Sequence, residues 1–152
     1  MESKILPEVD MIISLPASFD ESLFGTDAGE TPFMVFEATD GNPVIIITQS
    51  RPLPAGGLDQ IFDEFKEFRE QGGDFTVGAP ESGQGFLSSE TLRASFSGTL
   101  DGDDILGEVA IIEGLDDLVG VIHIYTAADI WDPAGIHLFQ TILDTLAIAD
   151  VQ

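Results

Sequence analysis

From Phe86 to Thr126 the apolar positions recur at the spacing of extended chain, in three runs separated by acidic turns. The first run, residues 86–100, alternates at period two. Phe86, Leu92, Ala94, Phe96 and Leu100 fall on one face, and Ser89, Thr91, Arg93, Ser95, Ser97 and Thr99 on the other. That pattern predicts a strand with one buried and one wet face. The next two runs, 105–112 and 118–125, are apolar on both faces. Val109 and Ile111 oppose Ala110 and Ile112, and Ile122 and Ile124 oppose Val119, Val121, His123 and Tyr125. Strands of this kind need cover on both sides. DGDD (101–104) and EGLDD (113–117) supply the turns between them.

The flanking segments supply more strands and two helices. Met11–Leu15 (MIISL) reads as a short strand stopped by Pro16, after a leader of residues 1–10. Residues 17–32 read as a connection, with one helical turn over Phe19–Phe24. Phe33–Thr39 is a β-branched and aromatic strand, Asp40-Gly41-Asn42 a hairpin turn, and 44–49 (VIIITQ) an interior strand, apolar on both faces. After the Pro/Gly loop 50–57, Leu58, Ile61, Phe62, Phe65 and Phe68 recur at helical spacing. That stripe predicts a helix with Asp59, Asp63, Glu64, Glu67 and Glu70 facing away, stopped at Gly72-Gly73. Residues 74–79 read as a short strand and 80–85 as a loop. The last helix starts behind Asp132 as N-cap with Pro133 at its first position, and buries Ile136, Phe139, Ile142, Leu143 and Leu146.

The expected order is therefore β-β-β-α-β-β-β-β-α. One mostly antiparallel sheet is covered by helices, an α+β chain built as an α/β/α sandwich. The 152 residues form one domain, placed at 11–150. With 43% hydrophobic residues and 11 Phe, the chain can fill a core despite its charge.

Charge narrows the function classes. Asp and Glu number 28 against 5 Lys and Arg, a formal charge of -23. Such a surface repels phosphate backbones and anionic membranes, so no nucleic-acid partner is expected. It predicts a solvated, salt-adapted surface, or one that meets a cation or a basic partner. With no cysteine there is no disulfide, thiol nucleophile or thiolate metal site. No apolar run is long enough for membrane insertion. The first ten residues lack the regions of a signal peptide. A cytoplasmic location is one expectation, and an extracytoplasmic one after a removed signal the other.

Candidate chemistry is sparse. His123 and His137 with Asp129 or Asp132 would make a two-histidine metal site only if strand and helix met. Asp101, Asp103 and Asp104, with Glu108, offer oxygen ligands for a hard cation such as calcium, although the spacing also fits a solvated turn. Ser82-Gly83-Gln84-Gly85 is not a GxSxG nucleophile motif, and no phosphate-loop pattern is present. No catalytic residue is assigned and no cofactor is expected. Arg51 in its Arg-Pro-Leu-Pro loop, Arg93, His123, Tyr125 and Trp131 are the binding candidates, because arginine and aromatics are favoured at interfaces. Nearby carboxylates should solicit Arg51. His123, Tyr125 and Trp131 are expected to come together at one end of the sheet.

The opening MIISLP followed by Phe19, the DGN hairpin, the helix behind a Pro/Gly loop, the meander and the closing FQTILDTLAIA resemble the PsbP-like family of small α/β/α sandwiches. Its members include the extrinsic protein of the oxygen-evolving complex and a Ran-binding nuclear-transport factor. The family shares no catalytic set, so the resemblance implies no site residues. The basic or metal-binding N-terminal segment of the photosystem protein has no counterpart here. The resemblance implies a non-enzymatic protein-binding or scaffolding domain. The alternatives are a ligand carrier or small enzyme with a pocket between sheet and helix, and a calcium-stabilised extracellular domain.

Overall fold

A computed structural model describes residues 2–6, 9–26, 31–38, 44–84, 90–131 and 136–148. The elements are β1 (Glu2–Leu6), β2 (Met11–Leu15), β3 (Phe19–Thr26), β4 (Pro32–Ala38), β5 (Ile45–Pro52), α1 (Gly57–Glu70), β6 (Phe75–Val77), β7 (Glu81–Gln84), β8 (Glu90–Leu100), β9 (Asp103–Glu113), β10 (Leu118–Ala127), α2 (Ile136–Thr145) and β11 (Ala147–Ile148). The main sheet runs β3-β4-β5-β10-β9-β8-β6, with β7 also paired to β8. Its pairings among the described residues are antiparallel. The α+β class, with a mostly antiparallel sheet and two helices packed on it, is the one expected from the hydrophobic pattern.

The meander is where that pattern located it. β9 and β10 occupy the interior of the sheet, and both their faces are buried. Ala110, Ile112, Ile122 and Ile124 join a core with Phe139, Ile142, Leu143 and Leu146 of α2. Val109, Ile111, Val119 and Val121 join a second core with Ile61, Phe62 and Phe65 of α1. β5 also lies inside the sheet, between β4 and β10. The β8–β9 hairpin turns on Asp101 (φ 53°) and Gly102 (φ 87°). Two successive positive φ values match the right-handed strand twist, and aspartate and glycine tolerate them best.

Three segments expected as leader, connection and loop are strands with few buried side chains, and Ala147–Ile148, expected as the end of the last helix, is the short strand β11. The leader contains β1, which pairs with β2 from Glu2↔Leu15 to Leu6↔Met11. Leu6 is buried and Ile5 is 66% exposed, so the five residues carry almost no apolar pattern. β2 also pairs with β11, making a small three-stranded sheet beside the main one. The supposed connection, with its helical turn at Phe19–Phe24, is the edge strand β3, paired to β4 from Phe19↔Ala38 to Thr26↔Pro32 with an irregularity between Glu21 and Leu23. Asp20 and Glu21 are exposed, and charge on an edge strand hides it from a hydrophobic reading while blocking edge pairing. Finally, part of the 80–85 loop is β7, exposed along its length. The DGN turn, the N-cap Asp132 and Pro133 lie outside the described residues.

The two faces of the sheet are covered unequally. One carries α2 together with β1, β2 and β11, so Leu6, Met11, Ile13 and Leu15 pack with Met34, Phe36 and Ile46. The other carries α1 alone. α1 leaves β5 and feeds β6 at the far edge, so it crosses β10, β9 and β8. Its buried residues meet Leu92, Ala94, Phe96, Val109 and Ile111. On this face Phe33 and Val35 of β4 and Ile45 and Ile47 of β5 stay only half-buried.

Gly107 sets the depth of that second core. A β-carbon there would collide with the Phe96 ring and the backbone oxygen of Ile124. The oxygen belongs to a sheet ladder and cannot retreat. Gly107→Ala should therefore destabilise the fold by about 1–3 kcal/mol, read as a lowered denaturant midpoint at unchanged slope. A loss below about 0.5 kcal/mol, the usual range of a surface change, would show that β9 has room to give.

Candidate functional site

The uncovered half of the α1 face is a groove of about 490 Å³. Its floor follows from the strand registers. Phe33 lies opposite Gln49, which lies opposite Val121. In the next row Val35 faces Ile47, which faces His123, and in the third Glu37 faces Ile45, which faces Tyr125. The α1 wall presents Ile61, Glu64, Phe65, Phe68 and Arg69, and Arg51 stands at the end of β5. Apart from Gln49 and the ionisable groups, the lining is aliphatic and aromatic.

Arg69 is the centre of the site. On an ideal helix it falls about 20° from Phe62, seven residues earlier, and so occupies a slot of the apolar stripe. Its guanidinium carbon lies 5.1 Å from the Phe96 ring centroid, 5.3 Å from Tyr125, 5.4 Å from Phe75, and 5.8 Å from both Phe65 and Phe68. Each is within cation–π range. Gly107, between Phe96 and Tyr125 in the ladder, leaves the space in which these rings gather. Arg69 Nη2 donates to His123 Nδ1 at 3.3 Å. Its Nε is buried with no hydrogen-bond partner among the described residues.

That contact fixes the state of His123. A guanidinium only donates, so Nδ1 accepts and the imidazole proton sits on Nε2. Burial holds the His123 pKa well below the ordinary histidine value, and the Arg69 charge depresses it further. Burial likewise lowers the Arg69 pKa, though an arginine remains charged. The Tyr125 pKa is raised, chiefly by burial and then by Glu37, against the opposing pull of Arg69. At neutral pH the groove therefore holds a neutral imidazole, a neutral phenol and a buried positive charge.

Arg51, by contrast, is paired with Glu64 at 2.7 Å, the carboxylate engagement expected of it. The pair is partly exposed, with side chains at 33% and 45%, and contributes little to stability. Glu70, one turn from Lys66, accepts from Lys66 Nζ at 2.8 Å and from the Val77 amide at 2.9 Å. The Lys66 hydrogen bond first, and the Val77 amide second, lower its pKa.

The other candidates are placed elsewhere. Trp131 is 7% exposed and belongs to the core on the α2 face. Four residues on from Ala127, the last paired residue of β10, the chain has turned under the opposite side of the sheet, so Trp131 does not meet His123 and Tyr125. Arg93 also points to the α2 face. It pairs with Glu108 at 2.7 Å, donates to Gln140 at 2.5 Å and lies 5.5 Å from the Phe139 ring. The face of β8 expected to be wet is thus partly roofed by α2, over a hollow of about 220 Å³. Asp101, Asp103 and Asp104 are exposed in the β8–β9 hairpin. No cluster of three His, Asp or Glu side chains that could hold a metal occurs among the described residues. His123 is buried on the α1 face whereas His137 is exposed on α2, so the two histidines form no site. Arg69, Phe68, Phe33 and Ile47 were not among the candidates. The spacing of Arg69 seven residues after Phe62 is the one sequence feature that sets it on the apolar stripe; nothing comparable marks Phe33 or Ile47. Among the described residues no helix is long and apolar enough to cross a membrane.

No family model and no curated protein matches the chain. Solved structures do. The protein Mog1, solved as a point mutant, superposes with a TM-score of 0.65 at 13% identity, over 99% of this chain and 98% of that one. LpqN of Mycobacterium tuberculosis, described as involved in cell envelope biogenesis, gives 0.63 at 9% identity, over 91% and 83%. A protein of Bacteroides thetaiotaomicron gives 0.61 at 11% identity over 96% of this chain, which spans only 47% of its length. The fold is thus the Mog1/PsbP-like one.

The state of His123 makes stability depend on pH. The unfolded chain takes up a proton near pH 6.5, while the folded chain refuses it until far lower pH. The His123 contribution is complete above the unfolded value and is lost as pH falls from there towards the folded one. The loss is about 1.4 kcal/mol per pH unit for one proton. His123→Gln, which keeps an acceptor for Arg69, should flatten the stability profile by that slope between about pH 6 and 5. Parallel profiles for the two proteins, measured by urea unfolding, would show that His123 is protonated in the folded state.

Proposed function

We propose that this protein is a non-enzymatic binding domain and that its ligand lies in the groove between α1 and the open half of the sheet. The observation that carries this reading is Phe68. It sits on the apolar stripe of α1, yet is 66% exposed at the groove wall. A large aromatic held out of the core beside half-buried Phe33 and Ile47 is surface that a ligand would cover. The volume lies within the range of small-molecule sites, about 300–1,000 Å³. The ionisable groups support binding over catalysis. His123 spends its free nitrogen on Arg69, and Glu64 spends an oxygen on Arg51. The groove therefore favours a ligand carrier over a flat protein-partner surface. The Arg93 and Trp131 surfaces first considered for a protein partner are engaged by the α2 face.

Nile red, a neutral apolar dye, tests the groove without presuming its natural occupant. Titration should give a saturable rise in fluorescence at one dye per chain. Ile47→Trp, which fills the floor, should weaken it at least about tenfold. Phe68→Ser should weaken binding while changing stability by no more than about 0.5 kcal/mol, as for other surface positions. Absence of saturable binding by the native chain, or unchanged binding by Ile47→Trp, would reject the groove as the site.

A further inference from the structure

Arg69 is an anomaly of charge. The chain carries 28 carboxylates and only 5 Lys and Arg, so every cation should be claimed. Arg51 is claimed by Glu64, Lys66 by Glu70 and Arg93 by Glu108; Lys4 has no carboxylate partner among the described residues either, but its ammonium donates to the Phe19 carbonyl at 3.3 Å. Arg69 has no carboxylate partner among the described residues. Glu64, on the same groove wall, is committed to Arg51, and Glu70, the next residue in the chain, to Lys66 and the Val77 amide. The rings of Phe65, Phe68, Phe75, Phe96 and Tyr125 lie within about 6 Å of its guanidinium carbon. Its only hydrogen bond among the described residues goes to a neutral imidazole, and its Nε is buried without a partner. Cation–π contacts offset part of the desolvation of a guanidinium, but they satisfy none of its N–H groups. A buried donor left unmet is costly, and the residue that carries it lines an apolar groove.

We propose that the ligand is an amphiphilic carboxylate, its head group held by the Arg69 guanidinium and its apolar body laid along Phe33, Ile47 and Phe68. The proposal rests on the binding reading above and adds the sign of the ligand. A carboxylate accepts two parallel N–H bonds from one guanidinium, and Arg69 gives only one of its N–H groups, on Nη2, to a side chain among the described residues. Charge complementarity is local. At physiological ionic strength fields fade over about 8 Å, so distant carboxylates of the surface oppose the ligand weakly, while the desolvated guanidinium acts at contact.

The test uses the full chain at neutral pH with three probes of equal chain length: decanoate, decan-1-ol and decyltrimethylammonium. Binding is measured by calorimetry, and the arginine Nε–Hε resonances are followed by NMR. Decanoate should bind about 10- to 100-fold more tightly than decan-1-ol, the ratio a charged hydrogen bond supplies. It should also shift the Arg69 Nε–Hε signal while leaving that of Arg93 in place. Arg69→Met should erase the preference and still bind decan-1-ol. Equal affinity for decanoate and decan-1-ol, or preference for the ammonium probe, overturns the anionic ligand and leaves the groove standing. A preference that survives in Arg69→Met overturns the role of Arg69. If none of the three binds the native chain, both readings fall. Should Arg69→Met not fold, the native chain's preference and the Nε–Hε shift decide alone.

Discussion

The width of the sheet governs the rest of the molecule. Seven strands on the main path, at about 4.8 Å each, make a surface roughly 29 Å across. A helix with its side chains is only about 10–12 Å wide. One helix per face leaves most of either face bare. On one side the chain solves this with α2 and the small sheet of β1, β2 and β11 together, and Met34, Phe36 and Ile46 are buried beneath them. On the other it spends a single helix, committed to the β8–β9 side by the crossing to β6. The groove is what remains. Ile46 and Ile47 are neighbours with the same side chain, one fully buried and one half-buried, and the only difference between them is which face they point to.

On a protein of charge -23, repulsion between copies opposes their association through a bare apolar surface. The same charge makes a buried arginine hard to keep unpaired. The structure does so with geometry. Gly107 leaves room for the Phe96 ring, and Arg69 lies against Phe96 and Tyr125 rather than against a carboxylate among the described residues. His123 then supplies an acceptor that carries no negative charge. The neutral imidazole and the cation depend on each other. Burial and the Arg69 charge keep His123 unprotonated, and only an unprotonated Nδ1 can accept from Arg69.

How much of this was legible in the chain follows from how much apolar surface each element buries. The meander, β5 and both helices announce themselves because their periodicity is the periodicity of burial: Val109 and Ile111 on one face, Ala110 and Ile112 on the other. β1, β3 and β7 are held by backbone pairing with few buried side chains, so their sequences read as leader, connection and loop. His123 and Tyr125 stood out as rare residues in an apolar strand, and Arg51 as a rare cation. Arg69 is as rare, but it sits one residue past Phe68 on an acidic helix and passes for an ordinary solvated position. Trp131 drew attention for being the single tryptophan, and rarity of that kind marks packing as readily as binding.

The residues that make the fold and those that make the groove are largely separable. Structures with 9–13% identity reach the same fold, so its requirements are met by pattern: interior strands apolar on both faces, a helix crossing each face, and an edge blunted by charge. None of those requirements asks for an aromatic at Phe68, where the side chain is mostly exposed, or for a cation at Arg69, where the stripe would accept leucine. A leucine there would bury without a penalty for unmet N–H groups, and a serine at position 68 would remove exposed apolar area. Both residues depart from what stability alone would choose, and both face the same groove. Costly choices that converge on one groove are what the proposed ligand would account for.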